Sequence, residues 1–263
     1  MSIQNRRPLT EDSPAHDEFW NPDVLKVVNT RSPQMRQTFE KVKSVAPTKT
    51  TVLLLGDTGV GKGTLAKLIH QHSSRKNEAF IHVHCGALPD TLAESELFGY
   101  EKGAFTGADK RKLGRFDSAQ KGTIFLDEIN TISSTMQIKL LQVLQDRIFQ
   151  RVGGESPIEA DVRVIAASNS DLQEMCDQGL FRKDLYYRLS VFPLEIPSLQ
   201  QRSEDIPDWI YYLLDWFNKH YFKDIQDAEP IVVKALQEYA WPGNIRELEN
   251  VIERAYILET TSI

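Results

Sequence analysis

The chain has 263 residues, a formal net charge of −6 and a sequence pI near 5.6. This acidic balance argues against a protein whose main role is to coat nucleic acid, because such domains are usually basic. Two cysteines are too few for a disulfide framework, and no apolar run is long enough to cross a membrane. We therefore expect a cytoplasmic globular protein with no membrane partner.

The predicted elements begin after a polar N-terminal tail or linker at residues 1–31, which has no apolar signal core. A helical pattern begins at Ser32, and Pro47 ends it because proline cannot continue a helix. Short apolar runs then alternate with helical patterns, which predicts an α/β fold with a parallel sheet and flanking helices. Strands are predicted at residues 51–55, 79–84, 122–128, 161–168 and 191–196, and helices at 65–72 and 136–146.

The pattern changes after residue 199, where the apolar runs that predict strands stop. Three helical segments follow, separated by turn residues: DIPDWIYYLLDWFNKHY, PIVVKALQEYA and NIRELENVIERAYILE. We therefore predict an α/β subdomain at residues 32–199, followed by a small all-helical subdomain at residues 200–263.

A phosphate-binding loop is predicted directly after the first strand, where the chain reads GDTGVGKG. In the G-x4-G-K spacing, glycines let backbone amides surround phosphates, and Lys62 can reach the β and γ phosphates. The following helix adds its N-terminal dipole. A glycine-rich turn with a surface lysine is the alternative. The expected nucleotide-binding residues are Gly56, Asp57, Thr58, Gly59, Val60, Gly61, Lys62, Gly63 and Thr64.

An acidic pair ends the predicted strand IFLDE, at the edge where open parallel sheets place ligands. We expect Asp127 to hold Mg²⁺, mostly through water, and Glu128 to orient and polarise the attacking water. The hydroxyl residue that usually follows the lysine as a Mg²⁺ ligand is replaced by Gly63, and Thr64 lies one place too late. The alternative is a solvated acidic pair that caps the next helix.

Two further features have functional and ordinary interpretations. Arg182 and Arg188 precede the last predicted strand and could supply the positive charge that phosphoryl transfer needs, although helix arginines are usually surface residues. The segment FGYEKGAFTGAD, residues 98–109, predicts a mobile loop with Phe105 exposed as a protein-contact anchor. The alternative is that Phe105 folds back into the core.

Together these motifs resemble the central AAA+ ATPase domain of bacterial enhancer-binding proteins, which activate sigma-54 RNA polymerase. The resemblance covers about residues 32–258 and is carried, in order, by GDTGVGKG, SELFGYEKGAFTGA, GTIFLDEI, FQRVGG, AASNSDL, FRKDLYYRL and WPGNIRELEN. It implies an AAA+ P-loop fold with a helical lid, ATP hydrolysis with Mg²⁺, and a homo-oligomeric ring, most often a hexamer. It also implies that a surface loop contacts sigma-54 in the polymerase holoenzyme, through Gly103, Ala104, Phe105, Thr106, Gly107 and Ala108.

The same resemblance assigns roles to single residues. Asn169 matches the first sensor, which reads the γ phosphate, and Arg246 matches the second sensor on the lid. Arg182 and Arg188 match paired arginine fingers that act on the neighbouring subunit's nucleotide. Arg151 lies in a turn that supports the sigma-54 contact loop.

Two positions depart from the family pattern. Gly63 stands where the family often has glutamate, and His84 stands where an asparagine pairs with the catalytic glutamate as a switch. A histidine can still bond to Glu128, but its charge changes near neutral pH. We therefore expect nucleotide coupling with an altered pH response, which the pH–rate profile of a His84→Asn variant would test. A metal site using His70, His82, His84 and Cys85 is the lesser alternative.

Neither a sensory domain nor a DNA-binding helix-turn-helix fits in this sequence, so we expect DNA binding only through an absent domain or a partner. An excised central domain is favoured over a natural short form. The competing interpretations are a general AAA+ remodeller, a nucleotide-binding regulator with weakened hydrolysis, and a P-loop kinase of small molecules. The intact Lys62, Asp127 and Glu128 argue against weakened hydrolysis, and the GAFTGA segment argues against a general remodeller.

Overall fold

The computed structural model describes residues 30–87, 90–221 and 223–259. Most of the predicted tail, at residues 1–29, lies outside them. The chain divides into two compact units, which are described separately. The described residues of the helical unit fall within Met1–Lys43, Thr58–Val60 and Pro197–Ile263, and those of the α/β unit within Ser44–Asp57 and Gly61–Ile196.

The helices and strands of the described residues follow the predicted order. The α-helices are α1 (Pro33–Val45), α2 (Lys62–Gln71), α3 (Asp90–Phe98), α4 (Arg115–Ser118), α5 (Ser134–Asp146), α6 (Leu172–Asp177), α7 (Lys183–Leu189), α8 (Ile206–Tyr221), α9 (Pro230–Glu238) and α10 (Asn244–Leu258). The strands are β1 (Val52–Leu55), β2 (Phe80–His84), β3 (Thr123–Asp127), β4 (Ile148–Phe149), β5 (Ile158–Glu159), β6 (Arg163–Ser168) and β7 (Phe192–Glu195). Short 3₁₀ helices lie at Cys85–Ala87, Ile129–Thr131 and Gln200–Asp205.

A parallel sheet forms the centre of the α/β unit, with strand order β2-β3-β6-β1-β7. β1 and β6 lie inside the sheet, and the apolar residues of β1 from Val52 to Leu54 are fully buried. An uninterrupted apolar strand is typical of a sheet covered on both faces. The predicted parallel α/β sheet is therefore confirmed, and β4 and β5 add a small antiparallel hairpin.

The sheet brings the ends of three strands together because all of its strands run in one direction. β1, β6 and β3 are neighbours, and Leu55 at the end of β1 pairs with Ser168 at the end of β6. The phosphate loop follows β1, Asn169 follows β6, and the acidic pair stands at the end of β3. Open parallel sheets bind ligands at this carboxyl edge.

A buried arginine stabilises the opposite end of the sheet, where the strands begin. The Arg163 guanidinium, at the start of β6, donates to the backbone oxygens of Val45 and Ala46 at 2.8 and 2.6 Å. Its burial, together with the charge of Arg75, lowers its pKa to about 10. A cation at the end of a helix satisfies carbonyls that the helix leaves unpaired. Arg163 therefore stabilises the end of α1 against the start of β6.

The helical unit has its own apolar core. Helix α8 contributes Ile210 and Phe217, helix α10 contributes Leu248 and Ile252, and Trp241 packs with them. The indole of Trp241 donates to Leu236 O at 2.7 Å, which satisfies the polar atom that burial would otherwise leave unpaired. The three helices predicted for this part of the chain are confirmed. Among the described residues, no helix combines the length and apolarity that crossing a bilayer requires.

Candidate functional site

The phosphate loop has the backbone that its glycines predict. Gly56, Gly59 and Gly61 have φ values of 148°, 81° and 105°, a region that residues with side chains rarely enter. Gly59 is also confined by its surroundings, because a Cβ there would lie 2.2 Å from the backbone oxygen of Gly243 within the helical unit. Only glycine fits this position of the loop.

Lys62 opens helix α2 and is only 8% exposed. Its Nζ donates to the backbone oxygens of Gly56 and Asp57, at 2.7 and 2.9 Å. The Lys62 side chain therefore folds back over the start of the phosphate loop, where the loop leaves β1. A phosphate at this end of the sheet would meet a cation already held in place.

Gly63 and Thr64, the two residues after Lys62, have different surroundings. A Cβ on Gly63 would meet only Phe125 Cε1, at 3.9 Å, so a side chain would fit there. Thr64 is exposed, one helical position further on. The absence of a hydroxyl after Lys62 is therefore a feature of the sequence and not a steric requirement.

The acidic pair lies where β3 ends. Asp127 Oδ1 accepts the Glu128 backbone N–H at 3.0 Å. Glu128 itself has left-handed φ and ψ of 55° and 47°, which is uncommon for a residue with a side chain. A Cβ on Gly86 would lie 2.4 Å from Glu128 Oε2, so the carboxylate occupies space that a larger residue at position 86 would fill. This glycine is a determinant of Glu128's position that sequence reasoning missed.

Two histidines of β2 face this acidic pair. His82 Nε2 lies 3.5 Å from Asp127 Oδ2, and His84 Nε2 lies 3.6 Å from Glu128 Oε2. Both imidazoles are about half exposed. The structure thus brings His84 to Glu128 as the resemblance implies, and adds His82 beside Asp127.

A multidentate protein site for a metal ion is not found here. Within the described ranges, no group of three or more His, Cys, Asp or Glu side chains is arranged to hold one. The donor set at this edge nevertheless suits Mg²⁺, which commonly takes one or two carboxylates together with substrate phosphates and water. Asp127 would be its protein ligand, since its side chain is 20% exposed and reachable.

Cys85 and Cys176 are both free and buried. Burial, followed by the charges of Asp127 and Glu128, raises the pKa of the Cys85 thiol to about 12. In the absence of a metal ion the thiol is therefore neutral near pH 7, whereas nucleophilic attack needs the thiolate. This argues against a nucleophilic role for Cys85.

Asn169 follows β6 and belongs to a polar network at the strand end. Its Oδ1 accepts the Ser170 hydroxyl at 3.3 Å, and Ser170 Oγ accepts the Asn130 amide at 3.3 Å. Ser168 Oγ in turn donates to Ser170 O at 2.7 Å. The network links Asn169 to the segment that follows the acidic pair.

The two arginines have different surroundings. Arg182 is the N-cap residue of α7, and its guanidinium makes a bidentate pair with Asp184 at 3.0 and 2.7 Å. Arg188 lies in the last turn of α7 and is exposed. The hydrogen bond from Arg182 lowers the pKa of the Asp184 carboxyl, so the pair is ionised at neutral pH. Asp184 was not predicted from the sequence.

Arg246 lies in the first turn of α10, in the helical unit. Its Cβ is 3.3 Å from the position that a Cβ on Gly59 would take. Residues 58–60 belong to the same unit, so Arg246 lies beside the part of the phosphate loop that this unit contains.

The GAFTGA segment forms a closed surface loop. Gly103 N donates to Ala108 O at 2.8 Å, and Ala108 N donates to Phe105 O at 3.0 Å. Gly103 and Gly107 have φ values of 85° and 96°, with open space where a Cβ would be. Phe105 is 46% exposed, although its ring contacts Tyr100 edge-on at 4.9 Å. Phe105 therefore does not enter the core.

The other motif residues differ in exposure. Thr106 and both glycines are exposed, Ala104 is half-buried, and Ala108 is only 4% exposed. A partner could reach the tip of the loop directly, while Ala108 closes its base.

A second turn supports the base of this loop. A Cβ on Gly153 would lie 2.7 Å from the Ala104 Cβ, which shows how closely the two segments pack. Arg151 is 10% exposed and bonds to Glu101 Oε1 at 3.1 Å and Asp117 Oδ1 at 2.5 Å. Glu101 and Asp117 were missed in the sequence, where no spacing connects them with Arg151.

Similarity to known proteins shows the family to which the chain belongs. A family model described as the Sigma-54 interaction domain matches residues 28–195, and one described as the AAA+ ATPase lid domain matches residues 200–263. Nitrogen fixation protein AnfA of Azotobacter vinelandii is 47% identical over 232 residues, which are 88% of this chain and 44% of AnfA. Transcriptional regulatory protein ZraR of Escherichia coli K12 is 49% identical over 230 residues, 88% of this chain and 52% of ZraR.

Solved structures give the same result. NtrX from Brucella abortus has a TM-score of 0.80 at 36% identity, covering 90% of this chain and 53% of NtrX. Its complex with ATP gives 0.79 at 36% identity, covering 87% of this chain and 52% of that one. Hsp104 has a TM-score of 0.67 at 19% identity, and the match covers 90% of this chain and 46% of the Hsp104 chain. At this identity the likeness shows the fold alone. The chain spans about half the length of these relatives. It belongs to the family of sigma-54 interaction domains, with the AAA+ fold and the helical lid that the sequence predicts.

Proposed function

We propose that the chain hydrolyses ATP in a homo-oligomeric ring, most often a hexamer, and uses the energy to remodel sigma-54 RNA polymerase holoenzyme so that promoter DNA opens. The observation that carries this proposal is the exposed Phe105 on a loop anchored next to the sheet that bears the acidic pair. The family match and the ATP complex of NtrX support the choice of partner and nucleotide.

The proposed chemistry begins with the phosphate loop and Lys62, which bind the β and γ phosphates. Asp127 would hold Mg²⁺, which neutralises phosphate charge when bound. Glu128 orients a water molecule and accepts its proton as the water oxygen bonds to the γ phosphorus, while the bond from that phosphorus to the bridging oxygen breaks and ADP leaves. Asn169 reads the γ phosphate. His84 lies within ion-pair distance of Glu128 and would restrain the carboxylate as part of the nucleotide switch.

Arg182 and Arg188 would act on the nucleotide of a neighbouring subunit, which makes assembly a condition of catalysis. Both guanidinium groups lie on or beside the exposed surface of α7, where a second subunit can be reached. Arg182 would have to leave Asp184 to do so. Arg246 of the lid would sense the nucleotide beside Gly59.

Conformational change at the nucleotide site would reach the GAFTGA loop through Arg151. Its partner Asp117 lies in α4, the element that precedes β3, and β3 ends in Asp127. Movement at the acidic pair would reach the base of the loop through β3, α4 and the Asp117–Arg151 ion pair. The proposed output surface is the exposed part of the GAFTGA loop, centred on Phe105 and Thr106.

We also infer the organisation of the functional protein. The α/β subdomain would extend over residues 32–199 and the lid over residues 200–263, after a tail at residues 1–31. DNA binding would come from a domain outside this chain or from a partner, and the protein would act in the cytoplasm, where sigma-54 holoenzyme is found.

The ATPase proposal is tested by measuring the hydrolysis rate per subunit over a range of protein concentration. We expect the rate to rise with concentration until the ring is complete, because the fingers act between subunits. An Arg188→Ala variant should stay about 10³-fold slower than the assembled wild type at every concentration, at the lower end of the range for arginine fingers. No hydrolysis at any concentration would favour the regulator with weakened hydrolysis, and a flat rate from a monomer would contradict the ring.

A further inference from the structure

Three consecutive carbonyls of the phosphate loop, those of residues 58–60, each accept a hydrogen bond within the helical unit. In a trans peptide the C=O and the following N–H point in opposite directions. Fixing these carbonyls therefore directs the amides of residues 59–61 to the other side of the loop. The three donors are Asn244 Nδ2 at 3.0 Å, the Ile245 backbone N–H at 3.1 Å and the Arg202 guanidinium at 2.9 Å.

Arg202 is an unusual donor because its side chain is only 3% exposed. One nitrogen of its guanidinium bonds to Val60 O, while its Nε has no hydrogen-bond partner in the described part of the chain. A buried cation is costly to maintain, and its burial lowers the pKa of the Arg202 guanidinium. The nearby Asp205 supplies the balancing charge and is itself 2% exposed.

Asn244 is held from both ends of its amide. Its Nδ2 bonds to Thr58 O, and its Oδ1 accepts the Leu199 backbone N–H at 2.7 Å. The residue is 1% exposed and has a left-handed φ of 54°. A short amide is one of the few side chains that combine this backbone with a donor and an acceptor.

Residues 30–32 complete the arrangement by holding Asp205. Its carboxylate accepts the Thr30 hydroxyl and the Arg31 N–H, each at 2.6 Å, and the Ser32 N–H at 3.3 Å. We call residues 30–32 the strap. Because the strap supplies these bonds to Asp205, its withdrawal would leave a buried carboxylate beside Arg202 with three bonds fewer.

We propose that Arg202 and Asn244 are positioning residues that aim the phosphate-loop amides at the diphosphate of a bound nucleotide, and that the strap maintains this through Asp205. The inference rests on the proposed function as a nucleotide-binding protein. It goes further by making nucleotide affinity depend on the chain segment that precedes α1.

The test is calorimetric titration with ADP, which binds without turnover and reports affinity separately from the fraction of folded protein. We expect Arg202→Gln and Asn244→Gly to raise the dissociation constant about tenfold or more at unchanged stoichiometry, since each loses one loop contact. Glycine retains the left-handed backbone at position 244, so this variant removes only the amide. Arg202→Lys should recover part of the affinity, because an ammonium can still donate to Val60 O.

Thr30→Val tests the strap, since it removes one hydroxyl of similar size, and should weaken ADP binding about threefold. Lys219→Gln, on the exposed side of α8, is the matched control and should bind as the wild type does. Wild-type affinity in both Arg202→Gln and Asn244→Gly would overturn the inference. If either fails to fold, Arg202→Lys and Thr30→Val decide it, because both retain the core. A wild-type chain that binds no ADP would instead refute the proposed function.

Discussion

A Glu128→Gln variant is expected to bind ATP and to hydrolyse it at least about 100-fold more slowly than the wild type. Glutamine has the same shape and can occupy the space beside Gly86, but it cannot accept the proton of the attacking water. Loss of a positioned general base commonly costs 10²–10⁴-fold. Steady-state kcat measured together with ATP affinity checks the prediction.

The matched control for this variant is Glu78→Gln, which makes the same chemical change at an exposed position. It should retain wild-type kcat. If Glu128→Gln hydrolysed ATP within about threefold of the wild-type rate, Glu128 would not be the base. The left-handed backbone of Glu128 would then need another explanation.

Gly59→Ala should produce the second large effect, a loss of nucleotide affinity of about tenfold or more together with a lower melting temperature. Its Cβ would lie 2.2 Å from the Gly243 backbone oxygen, and backbone cannot move aside as a flexible side chain can. The φ of 81° adds about 1–2 kcal/mol of strain for a residue with a side chain. ADP titration and thermal unfolding measure the two consequences.

Gly63→Ala is the control within the same loop. Position 63 is helical, and its Cβ would meet only Phe125, at 3.9 Å. Replacing glycine in a helix should therefore raise the free energy of unfolding by about 0.5–1 kcal/mol. Equal nucleotide affinity in Gly59→Ala and the wild type would contradict the geometry described for the loop.

The sequence predicted the elements that depend on local pattern. The apolar run of β1 and the phosphate loop are adjacent in the chain, so the strand, the turn and the helix could be predicted together. The acidic pair after β3 follows the same logic. The parallel sheet then places Asn169 near them, because strand ends meet at one edge.

What the sequence could not show are contacts between distant segments. Arg202 and Val60 are 142 residues apart, and nothing in either segment indicates that they bond. The buried position of Arg163 is equally hidden, because a charged residue at the start of a strand normally predicts exposure. Such groups become buried only where distant backbone oxygens satisfy them.

The exposure of the GAFTGA loop was only partly predictable. The motif indicated an exposed Phe105, and the structure places it on the surface. The motif could not indicate that Ala108 is buried, because the burial of Ala108 depends on how the loop closes through Gly103. The contact of Gly86 with Glu128 was hidden for a similar reason, since it arises from a 3₁₀ turn after β2.

The most direct test of the account is capture of sigma-54 by the chain in the presence of an ATP transition-state analogue. We compare the wild type, Phe105→Ala and the control Leu113→Ala, whose side chain is equally apolar and 55% exposed near the base of the loop. We predict capture by the wild type and by Leu113→Ala, and loss of capture in Phe105→Ala while it still hydrolyses ATP. Capture of sigma-54 by Phe105→Ala at the wild-type level would contradict this prediction.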